Sequence, residues 1–282
     1  VTEADNRTLL IGPCELGYMD AAQWLADDEP IVGVVDPGTD AASPSGTDIA
    51  ATIEATVPDL GGSIAAESVA EILSGDPSLF VAIGETGLIA VARRAPDVPV
   101  LPVGSVPGIE SVAETDVADA FTALADGDAI ERRRPLLGVA GPGTDDRRRA
   151  LFDVTLVTNE PARISEYAVE SRDDAVAQFR ADGVVVATPA GSHGYASAVD
   201  APRLSPAIDA VAVAPIAPFT TATRRWVLPH SDLVLSVERD EGDVRLLADG
   251  EPIDTVLPGE RAVVDADGRL TTIVVPGIST RA

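Results

Sequence analysis

The 282-residue sequence predicts an α/β lobe on a parallel sheet, followed by an all-β lobe. Two observations carry this reading. Over residues 1–128 short apolar runs alternate with helical patterns, the signature of strands joined by crossover helices. Over residues 129–282 short strands follow one another at turn signals, and apolar alternation replaces helical spacing. The closing residues are left free to return to the first lobe.

Taken in order, "PIVGVVDPG" (Pro30 to Gly38) is a buried strand ending in a turn, and "GTDIAATIEATVPD" is a helix. In "ESVAEILSGDPSLFVAIGETG" a helix stops at Gly-Asp-Pro and a second strand runs from Leu79 to Ile83. "LIAVARRAPDVPVLPVG" supplies another helix and a third strand around Val98 to Val103. "DVADAFTALADGD" is an amphipathic helix stopped by Gly127. Beyond it, turns are expected at "GPGTDD", "PAR", "RDD", "RADG", "RDEGD", "ADGEP", "LPGE" and "DADG". The all-β region reads as a sandwich built from hairpins. Two lobes of unlike texture imply a cleft between them, a usual place for a ligand.

Charge narrows the setting. The chain carries 46 acidic residues against 20 basic ones, a formal charge of -26, and every basic residue is Arg. Such self-repulsion destabilises a compact state. Molar salt shortens the screening length to about 3 Å and removes most of that penalty. The acids are spread along the whole chain, so the charge reads as adaptation to a high-salt cytoplasm of haloarchaeal type. No basic face stands out for nucleic acid. One cysteine, Cys14, and two histidines, His193 and His230, leave no Cys- or His-based metal site. No apolar run approaches the roughly 20 residues that span a bilayer. "VTEADNRTLL" lacks the form of a secretory signal. The expectation is a cytoplasmic protein with neither membrane nor nucleic-acid partner.

"VVVATPAGSHGYASA" (Val184 to Ala198) carries the function question. A β-branched run breaks at Pro189 and Ser192 stands at the break, one residue from the G-x-S-x-G elbow of the serine hydrolases. A triad would need a later histidine, and the only one, His230, lies within the all-β lobe. His193, adjacent in sequence, is badly placed as an in-line base. Ser192 is therefore not read as a nucleophile. Small residues instead let backbone N–H groups approach an anion or a ring, and Tyr195 adds an aromatic face.

The wider series resembles the C-terminal half of the NAD kinase family. Asn159-Glu160, then "FRADGVVVATPAGSHGYASA", "VAPIAPFTTATRRWVLP" and "LLADGEPI" follow that family's order and spacing from about Phe152 to Val275. The resemblance implies a Rossmann-like N-terminal lobe, a C-terminal β-sandwich lobe and NAD or NADP between them. It implies ATP or polyphosphate, with Mg²⁺, as phosphoryl donor, and a homodimer or homotetramer. Carried over by position, Asn159 and Glu160 would hold the ribose and adenine side of the dinucleotide. Asp182 would contact its nicotinamide end, with Arg180 as a neutralising charge, across a subunit interface if the assembly supplies one. Thr188, Gly191, Ser192, His193, Gly194 and Tyr195 would form the nucleotide-holding loop, with His193 where the family commonly has Thr.

The first lobe departs from the pattern. Where the family carries G-G-D-G-T, this chain has Ile83-Gly84-Glu85-Thr86-Gly87. Glu85 would act as base in place of Asp, one methylene longer, and Thr86 adds a Cβ where close backbone approach is expected. The next family segment is reduced to "VGSVPGIES", which keeps Gly104 and Gly108. Two readings stay open: a kinase using Glu85, with Gly84 and Thr86 at the phosphates, or a non-catalytic NAD(P)-binding relative with a sensing or regulatory role.

Two Arg triplets, Arg132–Arg134 and Arg147–Arg149, flank "PLLGVAGPGTDD". Read as a hairpin, that segment sets like charges opposite one another, which costs stability unless anions intervene. Local balance against carboxylates is the plainer reading; a site for polyphosphate or an acidic neighbouring subunit is the sharper one.

Overall fold

A computed structural model describes residues 30–36, 46–66, 68–144, 146–160, 163–220, 224–239 and 242–280. The expected turn at Pro37-Gly38, Cys14 and the N-terminal segment lie outside these residues. The first lobe runs β1 (Ile31–Val35), α1 (Gly46–Asp59), β2 (Ser63–Ala65), α2 (Val69–Ser74), β3 (Leu79–Ile83), α3 (Gly84–Ala92), β4 (Val100–Val103) and α4 (Val117–Asp126). The strands pair in parallel in the order β2-β1-β3-β4. All five residues of β3 are buried, which is why that segment reads as an unbroken apolar run rather than an alternation. α4 ends at Gly127, which adopts φ 85°, the left-handed cap that glycine takes without penalty.

The second lobe follows as β5 (Ile130–Ala140), β6 (Arg148–Ala150), β7 (Asp153–Thr158), β8 (Ser165–Ser171), β9 (Asp174–Ala181), β10 (Gly183–Ala187), α5 (Tyr195–Ala198), β11 (Ala210–Ile216), β12 (Trp226–Pro229), β13 (Leu233–Arg239), β14 (Val244–Ala248), β15 (Glu251–Val256) and β16 (Arg261–Val274). Six strands form one antiparallel sheet in the order β12-β11-β10-β7-β14-β15. β16, β13, β8, β9, β5 and β6 form the opposing layer. Val154 and Leu156 of β7, Tyr167 and Val169 of β8, Val184 and Val186 of β10, and Leu233 and Leu235 of β13 belong to the core enclosed by the two. No helix among the described residues is long and apolar enough to cross a membrane.

Several turn signals resolve differently from a string of hairpins. "RDD" closes a true two-residue hairpin between β8 and β9, with Arg172 and Asp173 at φ 52° and 65°. Asp249-Gly250 does the same between β14 and β15. "RADG" and "LPGE" instead carry the chain from one sheet to the other, while the turns expected at "PAR" and "RDEGD" include Pro161, Ala162, Asp240 and Glu241, which lie outside the described residues. "DADG" is not a turn but an irregularity within β16, whose register on β5 shifts between Ala266 and Arg269.

β16 joins the lobes. Its body lies antiparallel along β5 and β13, and near its end Thr272 pairs in parallel with Val100 of β4, so one ten-stranded sheet crosses the molecule. The Arg triplets therefore do not face each other. Arg132, Arg133 and Arg134 lie opposite Thr272, Thr271 and Leu270 of β16, while β6 pairs further along β5, at Leu137 to Val139. Arg134 is buried and is held by Glu110 and by Thr272, whose Oγ1 accepts its Nε–H at 3.1 Å. Burial alone would raise the Glu110 carboxyl, but the charge and hydrogen bond of Arg134 hold it below its ordinary value.

Candidate active site

The site lies where β3 of the first lobe and β7 and β10 of the second end near one another. β3 stops at Ile83, Gly84 turns the chain at φ 68°, and Glu85 and Thr86 stand exposed in the first turn of α3. β7 begins at Asp153, antiparallel to the end of β10, with Ala187 opposite it. The Thr188–Tyr195 loop leaves β10 at that point.

Thr188 anchors the loop. Its backbone N–H donates to the Phe152 carbonyl at 2.9 Å and its hydroxyl to the Leu151 carbonyl at 2.6 Å. The Gly191 N–H then donates to the Thr188 hydroxyl at 3.1 Å. Gly191 passes so close to β7 that a Cβ there would stand 2.0 Å from the Phe152 carbonyl oxygen. Ser192 is 4% exposed and its Oγ accepts the Leu204 N–H at 3.1 Å, so the hydroxyl is committed to holding the loop. What the loop presents outward is His193, Gly194 and Tyr195, the last 47% exposed. The His193 Nε2 meets the Arg203 guanidinium, while its buried Nδ1 has no hydrogen-bond partner. A cavity of about 500 Å³ opens beside that ring, lined by Gly104, Pro107, Gly108, Glu114 and Thr280 among others. Gly108, at φ 86°, is pressed on the loop: a Cβ would lie 2.1 Å from the Ala190 carbonyl oxygen.

Asp153 is the residue that sequence reasoning missed. It is 8% exposed, and its carboxyl is pushed up to about 6 by burial first, then by the charges of Asp249 and Glu85, against a hydrogen bond from Thr155. The Asp249 carboxylate accepts three consecutive backbone N–H groups, from Leu151 at 2.9 Å, Phe152 at 2.7 Å and Asp153 at 3.1 Å. Burial raises Asp249 too, opposed by those three bonds and by Arg93. The signal was in "ALFDVTLV", where an acid interrupts a run that must be buried.

The structure thus brings Gly84, Glu85, Thr86, Thr188, Gly191, Ser192, His193, Gly194 and Tyr195 to one end of the six-stranded sheet. It does not bring Asn159, Glu160, Arg180 and Asp182 there. They follow β7 and precede β10 at the opposite end, about 20 Å away along a strand of this length. There Glu160 pairs with Arg163 at 2.7 Å, and the Asp182 carbonyl accepts from the buried Tyr167 hydroxyl at 3.2 Å. The Arg180 guanidinium lies 5.4 Å from the ring centre of Phe219, which is 65% exposed.

The family model described as the ATP-NAD kinase C-terminal domain matches residues 151–274, from the Asp153 strand into β16. An NAD kinase of Geotalea daltonii is 31% identical over 205 residues, which cover 70% of this chain and 72% of that protein. The chain belongs to the NAD kinase family. An NAD kinase of Methanothermobacter thermautotrophicus is 28% identical over 195 residues. The chain spans about 65% of the length of that relative and 63% of one from Methanosarcina mazei. Yeast NADH kinase in complex with NADH superposes with a TM-score of 0.73 at 18% identity, covering 88% of this chain and 84% of that one. An Archaeoglobus fulgidus NAD kinase in complex with ATP gives 0.67 at 19%, covering 88% and 93%. The α/β lobe and antiparallel second lobe are thus those of the NAD kinase fold. The segment matched by the family model holds Asp153, the Thr188–Tyr195 loop and Asp249.

Proposed function

We propose that this chain transfers the terminal phosphoryl group of ATP or polyphosphate to the 2′-hydroxyl of NAD, giving NADP. One observation carries the reading: the Thr188–Tyr195 loop, anchored on the Leu151 and Phe152 carbonyls next to Asp153, lies within the segment matched by the ATP-NAD kinase C-terminal domain. In the proposed step the Glu85 carboxylate takes the hydroxyl proton as the 2′-oxygen forms its bond to phosphorus. The bond from that phosphorus to the bridging oxygen breaks, and the shortened donor leaves with the electron pair. Gly84 and Thr86 offer the backbone of a helix N-terminus to the phosphates. Among the described residues no group of three or more His, Cys, Asp or Glu side chains is arranged to hold a metal ion, so Mg²⁺ is assigned to the donor's phosphates. His193, Gly194 and Tyr195 would line the adenosine side. On this reading Asp153 would be the second-lobe carboxyl that meets the dinucleotide held between the lobes.

Asn159, Glu160, Arg180 and Asp182, at the far end of the sheet, would meet a ligand held by a second copy, in a homodimer or homotetramer. Exposed Phe219 beside Arg180 supports an interface there.

The test is NADP formation from NAD in molar KCl with Mg²⁺, offering ATP and polyphosphate separately, beside Glu85→Ala. Turnover that disappears in the variant is the expected result. Binding of NAD or NADP without turnover would make the chain a non-catalytic dinucleotide-binding relative. Absence of both would refute the reading.

A further inference from the structure

A second opening lies away from Glu85. A cavity of about 800 Å³ lies at the other end of α3, and Arg93, Arg94, Arg147, Arg148 and Arg149 line it. Ala92 ends α3 seven residues beyond Glu85, so the far end of the helix stands roughly 10 Å from it. The β5–β6 hairpin brings the second Arg triplet here, because Arg148 and Arg149 pair with Val139 and Gly138. Five of the chain's twenty basic residues therefore share one opening in a molecule of formal charge -26.

Local neutralisation explains three of the five. Arg93 pairs with Glu251 at 2.8 Å, Arg147 with Asp265 at 3.5 Å and Arg149 with Asp267 at 3.1 Å. Arg94 and Arg148, both exposed, have no ion pair or side-chain hydrogen bond among the described residues. In so acidic a chain, carboxylates are the commonest charged neighbours a guanidinium could meet. Two guanidinium groups left without one, in the same cavity, mark a place built for an anion brought from outside. Asp146 and Asp254 also line the opening, so a single weak anion would gain little there. A linear anion with several charges would gain from both guanidinium groups of the opening, Arg94 and Arg148, against the repulsion of the two carboxylates. The planar guanidinium fork fits phosphate oxygens two at a time. Ser68 and Thr144 add hydroxyls, and the volume suits a small molecule of nucleotide size.

We propose that this cavity binds an oligophosphate, a chain of two or more linked phosphates, at a site separate from the one containing Glu85. The inference does not depend on catalysis at Glu85. It is tested by calorimetric titration of tripolyphosphate into the intact chain, the Glu85→Ala variant and the double variant Arg94→Gln/Arg148→Gln. The expected result is binding that survives in Glu85→Ala and weakens at least tenfold in the double variant. Orthophosphate should bind far more weakly than tripolyphosphate. A larger loss of ATP affinity than of tripolyphosphate affinity in the Arg94→Gln/Arg148→Gln variant would identify a nucleotide as the source of the phosphates, and equal losses the phosphate chain alone. A double Arg→Lys variant should keep part of the affinity, and tripolyphosphate should raise the melting temperature of the parent but not of the Gln variant. Unchanged affinity in the Gln variant, or no binding by the parent, would overturn the proposal. So would a Gln variant that changes sedimentation coefficient without changing anion affinity, since the cavity would then receive an acidic second copy.

Discussion

The carboxylate of Asp249 reaches across from the β14–β15 turn and accepts the backbone N–H of Asp153 at 3.1 Å, and the Asp249 N–H donates back to the Asp153 carbonyl at 2.9 Å. With the bonds from Leu151 and Phe152, this fixes the start of β7, and with it the strand end on which Thr188 hangs the Thr188–Tyr195 loop. A turn aspartate some 100 residues downstream thereby positions a buried carboxyl at the cleft.

Removing that support should be costly. Asp249→Ala leaves three backbone N–H groups without their acceptor, and hydrogen bonds to charged groups contribute about 1.5–3 kcal/mol each. A loss of at least about 3 kcal/mol in urea unfolding is expected, with Asp249→Asn recovering part of it. A shift below 1 kcal/mol would show that water replaces the carboxylate freely.

Asp153 should make stability depend on pH in an unusual direction. Its carboxyl lies at about 6 in the folded chain against about 3.9 when unfolded, so the folded state binds the proton more tightly. Stability is then fullest below pH 4 as far as this group is concerned, and is lost as pH rises through 6. About two pKa units correspond to about 3 kcal/mol. Asp153→Asn should remove that slope and stabilise the chain at pH 8, while impairing dinucleotide binding. Parallel pH profiles for parent and variant would mean that Asp153 is solvated.

The loop contact can be tested by one methyl group. Gly191→Ala places a Cβ 2.0 Å from the Phe152 carbonyl oxygen, a backbone atom that cannot swing aside. Overpacking of this kind costs about 1–3 kcal/mol, and the displaced loop should lose nucleotide affinity as well. At Gly194, φ 67° and ψ -134°, a Cβ meets nothing within 4 Å, so Gly194→Ala carries only the backbone penalty of a conformation that is essentially glycine's own, about 1–3 kcal/mol. A Gly191→Ala variant that melts with the parent and keeps its nucleotide affinity would contradict the packing seen at Gly191.

Salt should stabilise the chain. With a formal charge of -26, repulsion is screened over about 10 Å at 0.1 M salt and about 3 Å at 1 M. The melting temperature in KCl is expected to climb by several degrees between those concentrations. A flat response in differential scanning calorimetry would remove the case for a high-salt habitat.

Much of the first lobe was legible because its signals are local. β3 forms over Leu79–Ile83 and α1 over "GTDIAATIEATVPD", as the apolar run and the helical spacing predict. The left-handed cap at Gly127 also needs only its own residue type. The second lobe was legible in its content but less so in its pairing. "RADG" and "RDD" look alike as turn signals, yet one crosses between sheets and the other closes a hairpin. The choice rests on which face must be buried against which, and that is a property of two sheets at once.

The sequence by itself determined the family, the α/β-then-β order, the acidic surface and the loop from Thr188 to Tyr195, because each is written in neighbouring residues or in a fixed series. Only the tertiary structure decided that Asp153 and not Glu160 shares an end of the sheet with Glu85. It alone moved Arg134 into the interior and Arg147–Arg149 to the cavity at the end of α3. These outcomes depend on strand direction and register, which place residues six apart on one strand about 20 Å from each other and residues a hundred apart within a hydrogen bond.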